Sequence, residues 1–238
     1  MTIKTRRVVK ADIAKAGGVP QLIASLVESL IKGGEEQMET SAMLLRSLTE
    51  QVSLSEDKTS NSQLIAEAGG VPPLVHLVEV GLPEGQTFAL DKLAHIAHGR
   101  PEQQQAILDA GGVKHIARCL KGGGAPVQAA AAALCSVSEL KSTQSAFIQA
   151  GVVPCLVSLL KGGSVVIQIY AAQALANLAE ANPDGQLAIG KAGAIPLLIP
   201  LLESGKAQEA AASAIQAIAE GNDSVRGRAR HSRPGELA

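Results

Sequence analysis

The chain has 238 residues, 46% hydrophobic but 1% aromatic, so any core must be built from Leu, Ile, Val and Ala. Its 21 Lys and Arg balance 22 Asp and Glu for a net charge of −1, which excludes the overall basic footprint of a nucleic-acid binder. No apolar run approaches the ~18 residues that a membrane helix needs. The three cysteines, Cys119, Cys135 and Cys155, form no Cys-x-x-Cys pair. With no apolar stretch behind the N-terminal MTIKTRRVVK, they set the expectation of a reducing compartment, cytoplasmic or nuclear.

One phrase returns five times along the chain. It reads AKAGGVPQLI at Ala14–Ile23, AEAGGVPPLV at Ala66–Val75, LDAGGVKHIA at Leu108–Ala117, IQAGVVPCLV at Ile148–Val157 and GKAGAIPLLI at Gly190–Ile199. Its first glycines, Gly17, Gly69, Gly111, Gly151 and Gly193, are 52, 42, 40 and 42 residues apart. A helical pattern at that period predicts a solenoid of stacked helical units. The units run over 6–50, 62–98, 101–140, 142–182 and 183–221, making an array over 1–222. A polar insertion at 51–62, QVSLSEDKTSNS, lengthens the first spacing and is expected to be a loop. The end, 223–238, carries Arg226, Arg228, Arg230 and Arg233 and reads as a disordered basic tail.

Within a unit the phrase joins two helices. In the fourth copy a short helix of about Thr143 to Ala150 leads to Gly151, placed where a left-handed residue ends a helix. Val153 precedes Pro154, which predicts a turn at Val153 and a second helix opening at the proline. That helix carries a wide apolar stripe at helical spacing, Leu156, Val157, Leu159 and Leu160, repeated as Leu74, Val75, Leu77 and Val78 in the second copy. In the last copy Pro200 interrupts it, so a bent or shortened helix is expected there. A third helix, Val165 to Glu180, is the longest, and Asn182-Pro183 supplies a cap and first-position proline for the next unit.

These residues resemble the armadillo repeat family over about Arg6 to Asn222, most closely at AAQALANLAEANPDGQLAIGKAGAIPLLIPLLESG, Ala171–Gly205. The resemblance implies an all-α, right-handed α-solenoid of about five three-helix repeats whose third helices line a concave groove. It also implies a non-catalytic scaffold that holds peptides or proteins, without a cofactor. Importin-alpha-type grooves use a ladder of Asn and Trp on those helices. Here Asn177 alone fills the Asn slot and there is no Trp, so that ladder is not present.

In the implied frame, groove-facing positions differ from copy to copy. Phe88, Asp91 and His95 come from the second unit, Ser136 from the third, and Tyr170, Gln173 and Asn177 from the fourth. Phe88 and Tyr170 share one slot, two units apart, across Ala129 and Ala132. Either they flank a docking floor or, with the register slipped by one, both rings pack between repeats. One turn further on, Glu50, Glu139, Glu180 and Glu220 form an acidic edge at helix C-termini, where a carboxylate meets the negative end of the dipole. The edge either favours a basic or mixed-charge partner or is ordinary solvated surface. Asp91, His95 and His98 share one helix face and raise a metal-dependent enzyme as a minor alternative. A recognition module for a ubiquitin-ligase or kinase system is another. The Ala-rich last helix, AQEAAASAIQAIAE, lacks the look of a polar cap, so association through exposed solenoid ends is also expected.

Overall fold

The computed structural model describes residues 18–51, 61–122, 124 and 126–220. Gly17, most of the insertion and the tail at 223–238 lie outside them. Everything regular among the described residues is helical. The first unit contributes α1 (Gly18–Lys32) and α2 (Glu35–Gln51), and the second α3 (Asn61–Glu67), α4 (Val71–Val80) and α5 (Pro83–Ala97). The third has α6 (Pro101–Asp109), α7 (Gly112–Gly122) and α8 (Val127–Val137). The fourth has α9 (Lys141–Gln149), α10 (Val153–Gly162) and α11 (Val165–Ala179). The last has α12 (Pro183–Lys191), α13 (Ile195–Leu198) with a 3-10 turn at Ile199–Glu203, and α14 (Gln208–Glu220). The conversion to a 3-10 turn falls at Pro200, as its missing N–H requires.

The glycine joint works as the sequence indicates. Gly69, Gly111, Gly151 and Gly193 all have positive φ, between 68° and 78°. Around Gly69 the amide of Gly70 reaches back to Ile65 O and that of Gly69 to Ala66 O, the pair of bonds that closes a helix on a left-handed residue. Val152 with Gly151, and Ala194 with Gly193, repeat it. The turn expected at Val153 is absent. Val153 is already helical, and Val152 before it has φ −80° and ψ −22°. The glycine completes the reversal two residues earlier, so the modest steric preference of a pre-proline residue has nothing left to decide. The insertion is also shorter than its polar composition suggests. Gln51 ends α2, Asn61 opens α3, and Ser62 is buried at 8% exposure.

Each second helix buries its stripe, and the third helices α5, α8 and α11 each bury a leucine at one fixed slot, Leu93, Leu134 and Leu175, all fully enclosed. Small residues surround these leucines, among them Ala89, Ala130, Ala131, Ala171 and Ala172, so consecutive third helices pack closely. From α5 to α8 to α11 to α14 the third helices pack together more extensively than the second helices of the same units. In a curved stack the closer row lies on the inside of the curve, so the third helices form the inner surface.

Candidate functional site

The inner surface carries a depression of about 470 Å³ that crosses four third helices. Arg46 of α2, Phe88, Asp91 and Lys92 of α5, Ala129 and Ala132 of α8 and Tyr170 of α11 all line it. The spacing argument therefore brings the two aromatic slots to one hollow with the alanines between them. The two rings differ in character. Phe88 is only 5% exposed, and Lys92 lays its ammonium 5.7 Å from the ring centroid. The lysine stem closes over the ring while its charge sits on the π-face. Phe88 is thus a packed wall and not the open docking ring expected from its slot. Tyr170 is half-buried and gives the hollow its accessible aromatic edge.

Asp91 is half-exposed and holds Lys92 Nζ at 3.1 Å. Its other oxygen lies 3.6 Å from His95 Nδ1, but that nitrogen is closer, at 2.7 Å, to the backbone carbonyl of Asp91. His98 turns away to Glu139, with Nδ1 3.0 Å from Oε1. Of the three residues grouped for a metal, Asp91 and His95 stay beside each other while His98 turns away from both. Among the described residues no cluster of His, Cys, Asp and Glu is arranged to hold a metal ion. Gln173 is exposed, and the Cys135 thiol donates to its Oε1 at 3.6 Å. Burial, with Glu139 adding to it, pushes the Cys135 thiol up to about 12, so it stays protonated and unreactive.

Two expected groove residues belong to the scaffold. Ser136 is buried, and its carbonyl accepts from Gln104 Nε2 at 2.9 Å. Asn177 donates from Nδ2 to Cys135 O at 2.9 Å and to Ser138 Oγ at 3.2 Å, which ties α11 to the end of α8. The acidic edge divides in the same way. Glu139 reaches back to the joint between the second and third repeats, where Oε2 accepts from the amide of Gly99 and from Gln104 Nε2, both at 2.9 Å. This explains a carboxylate at an unfavourable helix end: it serves donors at the joint between repeats and not its own helix. Glu220 accepts from Gln216 at 3.2 Å, Glu180 is exposed, and the side chain of Glu50 lies outside the described residues.

Spacing within the helices did not reveal a set of buried glutamines that hold successive units in register. Gln104 donates to Ala97 O at the end of one third helix and to Ser136 O of the next. Gln186 repeats this between Ala179 O and Ala217 O, and Gln144 donates to Ser138 O. All three are at most 5% exposed. Each stands seven residues before the joint glycine, Gly111, Gly151 or Gly193, and the buried Ser62 takes that place before Gly69. The constant offset was the signal available in the sequence.

The armadillo/beta-catenin-like repeat family matches residues 144–180, the unit holding Tyr170, Gln173 and Asn177. A crystal structure of an engineered protein is 32% identical, with a TM-score of 0.73 over 88% of this chain and 84% of that one. A designed armadillo repeat protein in complex with the peptide (KR)4 is 25% identical, with a TM-score of 0.71 over 88% and 87%. Computationally designed armadillo repeat proteins for modular peptide recognition match at 25% identity and a TM-score of 0.73 over the same shares. No curated protein matches the chain. Four glycine-jointed helical units among the described residues, an inner row of third helices and these likenesses lead to one conclusion: the chain belongs to the armadillo repeat family.

Proposed function

We propose that this armadillo scaffold binds an extended polypeptide segment along its third helices, with one side chain of the segment seated over Ala129 and Ala132. The hollow that runs from Arg46 to Tyr170 across four consecutive third helices carries this reading. A surface with alanines at its floor and a tyrosine, a carboxylate and a lysine at its sides offers contact area and a few directed polar groups, as ligand sites do. The designed relative in complex with (KR)4 supports a peptide as the class of ligand. The exposed Glu180 favours a segment with basic residues. The fold is a typical non-enzymatic binding scaffold.

A random-peptide display selection tests the proposal. Wild type should enrich a family of sequences rich in Lys or Arg around one larger side chain. Ala132→Arg, which fills the hollow, should lose at least tenfold in affinity for them while melting like wild type. Equal binding by Ala132→Arg, or no enrichment by wild type, would refute the groove reading.

A further inference from the structure

The four described histidines, His76, His95, His98 and His115, all lie in the second and third repeats, and one of them is sealed between those repeats. We propose that the joint between the second and third repeats is a pH-responsive hinge, loosened in mild acid when His115, enclosed between α4 and α7, takes up a proton.

The geometry is that of a buried base with poor company. The His115 side chain is 7% exposed, with Nε2 3.9 Å from Glu79 Oε1, beyond hydrogen-bonding reach. Neither ring nitrogen has a hydrogen-bond partner among the described residues. The other Glu79 oxygen is engaged 3.4 Å away by His76 Nδ1. One turn beyond His115, Arg118 donates to the carbonyls of Val78 and Glu79, the last turn of α4. The charged and titratable groups acting on His115 are thus Glu79 and His76 from α4, with Lys114 and Arg118 from its own helix.

A neutral imidazole can occupy such a place, whereas an imidazolium there would be desolvated and set among like charges. Burial holds His115 below its ordinary value of 6.5. Glu79 opposes this, while Lys114, Arg118 and His76 add to it. The sign follows from linkage. Opened or unfolded chain binds the proton more readily, so the closed joint keeps its full stability above about pH 6.5. That stability declines as pH falls toward the lower value of the closed form. Within this window the closed-to-open ratio falls by up to about tenfold per pH unit. The third helices of the same two repeats, α5 and α8, bring Lys92 and Ala129 to the inner hollow, so loosening the joint changes its width. That last consequence rests on the proposed groove; the hinge does not.

Hydrogen exchange of the full chain at pH 7.5 and 5.5, corrected for intrinsic rates, tests the hinge. Amides of α4 and α7 should lose several-fold in protection at pH 5.5 while those of α11 hold. His115→Phe should abolish the difference. Should that variant fail to fold, Glu79→Gln, which removes the nearby counter-charge, should deepen the loss at pH 5.5. Unchanged protection of α4 and α7 in wild type, an undiminished loss in a folded His115→Phe, or no deepening in Glu79→Gln would overturn the hinge. Peptide affinity that is independent of pH while exchange responds would remove only the link to the groove.

Discussion

Replacing Gln104 by Ala should separate the second and third repeats more than any comparable change at the surface. Gln104 is 1% exposed, and its Nε2 serves Ala97 O, Ser136 O and Glu139 Oε2, each at 2.9 Å. Ala97 O keeps a second donor in the amide of Arg100, and the Glu139 side chain is 29% exposed, so water can replace part of what both lose. Ser136 O belongs to a buried residue and loses its donor. Two neutral bonds at about 1 kcal/mol each, with a further cost for a poorly satisfied buried carbonyl, give about 2–4 kcal/mol. Urea denaturation should report this as a lower midpoint. Hydrogen exchange should place the weakness at α5, α6 and α8, because a stacked array is held by nearest-neighbour contacts. Gln128→Ala, at an exposed position on α8, should stay within about 0.5 kcal/mol. Equal, small costs for the two would mean that the glutamine latch does not set the stacking.

Leu175→Ala removes a fully enclosed side chain from the fixed leucine slot and should cost about 2–5 kcal/mol by calorimetry; an unchanged melt would refute the register. Gly151→Ala should cost about 1–2 kcal/mol through its positive φ, since the nearest atom to an added Cβ is the flexible end of Lys121 at 3.4 Å. Gly185→Ala should cost more than that, at the upper end of the ~1–3 kcal/mol typical of overpacking, because its Cβ would meet the backbone oxygen of Leu178 at 2.0 Å; equal melting temperatures for the two variants would contradict this. Glu139→Gln should lower the melting temperature by disturbing the Gly99 and Gln104 contacts, whereas Glu180→Gln should leave it unchanged and reduce the salt dependence of peptide binding. The reverse pattern would return Glu139 to the partner-facing edge.

The sequence by itself determined the repeat frame. Left-handed glycines at Gly69, Gly111, Gly151 and Gly193 and the stripes of α4, α7 and α10 are local matters, and a helix period reports them directly. The Asn182 cap was equally legible, with Oδ1 accepting from the amide of Gly185 at 3.1 Å. That frame also put Tyr170, Asp91 and the Ala129–Ala132 floor at one hollow. Only the tertiary structure decided which polar groups on the third helices face outward and which join the repeats. Asn177 meets Cys135, Glu139 meets Gly99 and Gln104 meets Ser136 across 32–42 residues of chain. Periodicity fixes the direction of a side chain about its own helix axis. It carries no information on how near the next helix stands, and in a stack with small residues between its helices that distance determines whether a polar group meets a partner or its own scaffold.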